Sequence, residues 1–174
     1  MADGSRSPET HVYSPELEEK AATVLRVAEK RGLQIATAES CTGGALAALL
    51  TDVEGLSHVF ERGFAVYCDE AKAECLGVRP DIIVREGAVS RIVAGEMAQG
   101  ALDHSHADIA VGITGNAGPA GPHAEEGLVY ICVATRAGQR RIVEHHFGAE
   151  GRARVRMKAL ESALDLIGWA AAAK

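Results

Sequence analysis

From Ser14 onward the apolar residues of this chain keep changing period. Stretches with a three-to-four-residue repeat take turns with short unbroken apolar runs. The first pattern buries one stripe of a helix, and the second suits a strand covered on both faces. Elements that alternate in this way bury their apolar surfaces together as layers, with helices on both sides of a sheet. Aromatic residues make up 4% of the chain and hydrophobic residues 47%, so Ala, Val, Leu and Ile must fill the core.

The pattern can be followed element by element. Ser14 and Pro15 make a capped helix start, Leu17, Ala21, Val24, Leu25 and Ala28 continue it on one face, and Gly32 stops it. A strand is predicted over 33–38 and a buried Ala/Leu helix over 45–50. Residues 60–67 form the next strand, and Asp69 caps a short helix that runs through Cys75 and ends at Gly77. Ser90 caps a longer helix with Ile92, Val93, Met97, Ala101 and Leu102 on its apolar face. A strand at 107–114 leads into a loop at 115–127. Strands at 128–135 and 140–147 then flank a hairpin turn of Arg136, Ala137, Gly138 and Gln139. An amphipathic helix follows over 152–169. These elements predict a three-layer α/β/α sandwich with a mixed, mainly parallel sheet, the hairpin supplying antiparallel pairing.

At 174 residues the chain suits one domain that needs no disulfide or metal staple. Residues 1–13 are polar and read as a disordered tail, leaving 14–174 as the folded domain. The four cysteines, Cys41, Cys68, Cys75 and Cys132, form no C-x-x-C pair, which suits reduced thiols in a cytoplasmic protein. No apolar run approaches the roughly eighteen residues of a membrane span, so no membrane partner is expected. A net charge of −6 without a basic stripe argues against direct nucleic-acid binding. Arg152, Arg154, Arg156 and Lys158, two residues apart on a helix, point in different directions and read as solvated surface. The pairs His104/His106 and His145/His146 lack companions at ligand spacing, so no metal or cofactor is expected. Ala-rich helices leave room for subunit packing, and a homo-oligomer is expected.

Ligands of open α/β sheets sit beyond the carboxyl ends of the strands, and three loops fall there. In the first, Glu39-Ser40-Cys41-Thr42-Gly43-Gly44, glycines let the backbone turn tightly before a helix whose free amides and dipole favour an anion. Ser40 there can act as a nucleophile beside an amide-lined oxyanion site. Taken alone, the segment fits a polar capped turn at least as well. Cys41 ranks below Ser40 because no histidine partner is evident. In the second loop, Lys72 stands one turn into a short helix after Tyr67, where a buried lysine can take a proton from a serine; a solvated helix lysine is the simpler reading. The third loop, beginning Thr114-Gly115-Asn116-Ala117-Gly118-Pro119, is long and rich in Gly and Pro. It suits a rigid anion- or amide-holding loop or a structural turn.

Taken together, four ordered motifs resemble the CinA carboxy-terminal domain family from Leu17 onward. They are T-A-E-S-C-T-G-G at 37–44, F-E-R-G-F-A-V-Y at 60–67 with Lys72 five residues on, G-A-V-S at 87–90, and T-G-x-A-G-P at 114–119. The resemblance implies a three-layer α/β/α sandwich that hydrolyses the carboxamide of nicotinamide mononucleotide to nicotinate mononucleotide and ammonia, in pyridine-nucleotide salvage. It implies Ser40 as nucleophile, Lys72 as base and Tyr67 in support. Thr42, Gly43, Gly44, Thr114 and Gly115 would meet the substrate, and Arg152 its phosphate. No cofactor is implied. The sequence departs from the family pattern at Cys68-Asp69, where Ser-Asn is usual, at Asn116, and over the shortened stretch 120–126. These changes leave a nucleotide-binding paralogue without turnover as the alternative.

Overall fold

A computed structural model describes residues 12–122 and 124–173. Helix α1 spans Pro15–Lys30, and the Ser14 hydroxyl accepts from the Leu17 amide at 3.3 Å as its cap. Strand β1 (Ile35–Glu39) and helix α2 (Ala45–Asp52) follow. After a short 3-10 turn at Ser57–Val59 come β2 (Phe60–Ala65), α3 (Asp69–Leu76), α4 (Pro80–Glu86) and α5 (Arg91–Asp103). Strands β3 (Ile109–Gly115), β4 (Leu128–Thr135) and β5 (Arg140–His146) precede the long helix α6 (Arg152–Ala172).

The strands lie in the order β2-β1-β3-β4-β5. β1 pairs in parallel with both β2 and β3, while β3–β4 and β4–β5 are antiparallel. Four strands therefore point one way and β4 alone runs against them, as a mixed sheet with a closing hairpin requires. The carboxyl ends of β1, β2, β3 and β5 consequently share one rim.

The two sheet faces differ in side-chain size, and this sets the layers. On one face Ile35, Ile109, Val111, Ile113, Val129, Ile131 and Val133 pack against α1, α2 and α6. On the other, Ala36, Ala38, Ala110, Cys132 and Ala134 meet α3, α4 and α5. Small residues there bring α5 close: a Cβ on Gly112 would lie 2.3 Å from the Ala94 carbonyl oxygen. Fully buried Leu160, Leu164 and Ile167 anchor α6, each contributing roughly 1.5–3 kcal/mol.

Several local expectations change. Helix α4 falls in a stretch with no predicted element; Pro80 starts it and only Ile82 and Ile83 are buried, too short a pattern to reveal a period. Ile92, expected on the apolar face of α5, is 40% exposed: Val93 and Ala94 of the same turn are fully buried, so Ile92 falls outside the buried stripe. Asp69 is the first residue of α3 rather than its cap; Cys68 holds the cap position and makes no side-chain capping bond. The segment 1–13 lies outside the described residues except for Val12 and Tyr13. The Tyr13 hydroxyl donates to the Ala45 carbonyl at 2.9 Å and its ring packs on the core. Among the described residues no helix is long and apolar enough to cross a membrane.

Candidate active site

At the shared rim lies a cavity of about 250 Å³. Ser40, Tyr67, Lys72, Thr114, Gly115 and Arg152 all line it, and Cys41 and Asp69 join them. The parallel pairing of β1 with its two neighbours brings these separate segments together.

The serine loop is held from below. Ser40 N–H donates to the Ile113 carbonyl at 2.9 Å, so the end of β3 fixes the start of the loop. Gly43 and Gly44 both have positive φ (66° and 91°), a turn other residues rarely adopt. The Glu39 carboxylate is buried beneath α2 and accepts from the amides of Gly44 (3.1 Å), Leu46 (3.0 Å) and Ala47 (2.8 Å). An internal anion thus occupies the helix N-terminus that the sequence offered to a ligand. The Gly43 amide is used as well, on the Ser40 carbonyl at 3.1 Å. Among the described residues, the Thr42 amide is the one of the three expected donors with no protein acceptor. The Thr42 hydroxyl is buried and likewise unpartnered.

Burial separates the two candidate nucleophiles. It pushes the Cys41 thiol up to about 12, against the opposing pull of Arg156 and Arg152, so no thiolate forms near neutral pH. Ser40 needs no such ionisation, only a base.

Lys72 is 1% exposed, the largest fully buried side chain in the protein's described part. Its ammonium donates to the carbonyls of Tyr67 (3.2 Å) and Cys68 (3.4 Å) and meets Asp69 Oδ1 at 3.5 Å. It makes no hydrogen bond to Ser40. Tyr67 meets Lys72 through its backbone carbonyl alone, while the residue is 65% exposed at the cavity mouth.

Thr114 is buried and donates to the Ala88 carbonyl at 2.7 Å, tying the β3 end to the loop between α4 and α5. Gly115 lets β4 approach: a Cβ there would meet the Leu128 carbonyl oxygen at 2.7 Å. Arg152 lies across the third loop, its guanidinium 2.9 Å from where a Cβ of Gly118 would stand. Asn116 is spent on the same loop, donating to the Glu125 carbonyl at 3.1 Å.

The basic run at 152–158 divides. Arg154 is exposed and Lys158 pairs with Glu150, as a solvated face would. Arg156 instead turns inward and donates to the Cys41 carbonyl at 2.8 Å. Glu39 and Arg156 are the two site-supporting residues that sequence reasoning missed. Glu39 caps from before the turn, outside any capping-box spacing, and Arg156 acts across the tertiary fold, so neither leaves a local signal.

The histidines are otherwise engaged. His104 closes α5 on the Gly100 carbonyl at 2.8 Å, and His145 shares a 2.7 Å hydrogen bond with Ser162 of α6. His146 faces the other way, with Glu125 and Glu144 on its two ring nitrogens.

Residues 17–170 match the CinA C-terminal domain. The chain is 46% identical over 126 residues to the nicotinamide-nucleotide amidohydrolase PncC of Escherichia coli, covering 71% of this chain and 76% of that protein. It is 42% identical over 159 residues to a protein of Caldicellulosiruptor saccharolyticus described as competence-damage inducible, covering 90% of this chain and 38% of that one. The chain therefore spans well under half of that longer relative. Among solved structures, competence/damage inducible protein CihA of Agrobacterium tumefaciens superposes with a TM-score of 0.88 at 38% identity, covering 91% of this chain and 97% of that one.

Proposed function

This chain belongs to the CinA C-terminal domain family, and from that premise we propose that it deamidates nicotinamide mononucleotide in pyridine-nucleotide salvage. The observation that carries the reading is a fully buried lysine lining the same cavity as a serine at a strand end. Identity to the E. coli amidohydrolase supports the substrate.

In this reading Ser40 Oγ attacks the carboxamide carbon while Lys72, in its amine form at that moment, takes the hydroxyl proton. The Thr42 amide is the candidate donor to the oxyanion, since the Gly43 and Gly44 amides are already used. Lys72 returns the proton to the leaving nitrogen, ammonia departs, and water cleaves the acyl-enzyme to nicotinate mononucleotide. Arg152 meets the phosphate. Thr114 holds the cavity wall through Ala88.

The test is ammonia release from nicotinamide mononucleotide by wild type, Ser40→Ala and Lys72→Met. Both variants are expected to fall by about a thousandfold or more. Equal turnover by wild type and Ser40→Ala would sink the serine mechanism. One observation favours a second reading, a nucleotide-binding paralogue without turnover: the Lys72 ammonium is paired with Asp69 and two carbonyls rather than with Ser40. Calorimetric binding of the mononucleotide without ammonia release would favour it.

A further inference from the structure

We propose that Asp69 is a specificity-determining residue that selects substrates carrying a cationic ring. The inference rests on the amidohydrolase reading above and names the class of compound its site prefers. Among the described residues lining the cavity, Asp69 is the only one with a carboxylate. Its side chain is 55% exposed, and among the described residues its partner is the Lys72 ammonium at 3.5 Å. That contact is long for an ion pair and engages one of the two carboxylate oxygens.

Two neighbours sharpen the assignment. Tyr67, two residues earlier, presents an exposed ring at the mouth of the same cavity. An aromatic face beside a carboxylate is a recognised arrangement for a delocalised organic cation. Arg152 lines the cavity too, its guanidinium over Gly118 and without an ion-pair partner among the described residues. The cavity therefore carries the Asp69 carboxylate beside the Lys72 ammonium and, apart from that pair, a guanidinium without an ion-pair partner among the described residues. A nucleotide whose ring is an N-alkylated pyridinium has the matching pair, a cationic ring and an anionic phosphate. A neutral ring offers Asp69 nothing and costs it hydration.

The experiment compares two ligands that differ in ring charge, nicotinamide mononucleotide and its reduced dihydropyridine form, by calorimetry on wild type and Asp69→Asn. Asn keeps the size of Asp and removes its charge, and thermal melting of each protein checks the fold. Wild type is expected to bind the cationic form about tenfold more tightly, a difference of about 1.4 kcal/mol. Asp69→Asn should lose most of that preference while its affinity for the reduced form stays unchanged. Equal losses for both ligands, or an undiminished preference in Asp69→Asn, would overturn the inference and leave the amidohydrolase reading standing. If wild type binds neither form, the amidohydrolase reading itself falls, and the inference with it.

Discussion

Arg156 Nε donates a 2.8 Å hydrogen bond to the carbonyl of Cys41, joining α6 to the serine loop across 115 positions of sequence. A guanidinium on a partly buried carbonyl is a charge-assisted bond. Arg156→Ala is therefore expected to lower stability by about 1–2 kcal/mol, and the exposed Arg154→Ala by less than about 0.5. Urea midpoints of the two variants make the comparison. A loss that is equal in both would show that the Cys41 contact contributes nothing.

Glu39 holds three amides of the α2 start at once. Glu39→Gln keeps one carbonyl oxygen and turns the second acceptor into a donor facing N–H groups. It is expected to cost about 2–3 kcal/mol, with Glu39→Ala at least as damaging. Thermal unfolding reads the effect. If Glu39→Gln melts with wild type, the three hydrogen bonds do not hold the loop.

The contrast between these two residues and the rest of the site explains what the sequence makes visible. Ser40, Lys72 and Thr114 stand at the ends of predicted strands or one turn into the helix that follows, so strand-end logic alone gathers them on one rim. The layered fold follows from the alternation of periods, whereas the close packing of α5 on the face of Ala36, Ala38 and Ala110 is a feature of the folded chain. Glu39 and Arg156 act through geometry that exists only after folding. Helix α4 is invisible for a related reason: seven residues with two buried positions carry no measurable period.

The cysteines divide by burial. Burial raises the Cys41 thiol to about 12, and Cys132 is raised for the same first reason, while Cys68 and Cys75 are exposed. A thiol-disulfide reagent at pH 8 is expected to label Cys68 and Cys75 quickly and to reach Cys41 and Cys132 only after denaturant is added. Mass mapping of the labelled peptides decides it. Fast labelling at Cys41 would reopen the question of which residue is the nucleophile.

Two adjacent histidines should respond to pH in opposite senses. Hydrogen bonding to Glu125, with Glu144 adding to it, raises the pKa of His146 above the ordinary value of about 6.5. Its contribution is complete below that value and fades as pH rises through the raised one. Burial, with the nearby His146 charge, lowers the pKa of His145. Its contribution is complete above about 6.5 and fades as pH falls through the lowered one. Relative to wild type, His146→Gln should therefore lose most melting temperature on the acid side. His145→Gln should compare best there, and worse as pH rises. Melting curves from pH 5 to pH 8 show the two trends, and parallel lines for both variants would contradict them.

Two helix-interior glycines look equivalent in sequence and should behave oppositely when mutated to alanine. In both, alanine gains about 0.5–1 kcal/mol of helix propensity. At Gly168 in α6 the nearest atom to an added Cβ is Val24 Cγ2 at 3.4 Å, an ordinary contact, so the gain should survive as higher stability. At Gly100 in α5 the same methyl would stand 2.1 Å from the Leu76 carbonyl oxygen and 2.9 Å from its carbonyl carbon. Those are backbone atoms at the end of α3 and cannot rotate aside, so α3 and α5 must separate. Gly100→Ala should lose about 1–3 kcal/mol net of the propensity gain. Because α3 carries Lys72 and Asp69, that separation should also lower turnover or nucleotide affinity, which Gly168→Ala leaves unchanged. Chemical denaturation and calorimetry on the pair test both halves, and a Gly100→Ala variant as stable as Gly168→Ala would refute the close α3–α5 contact.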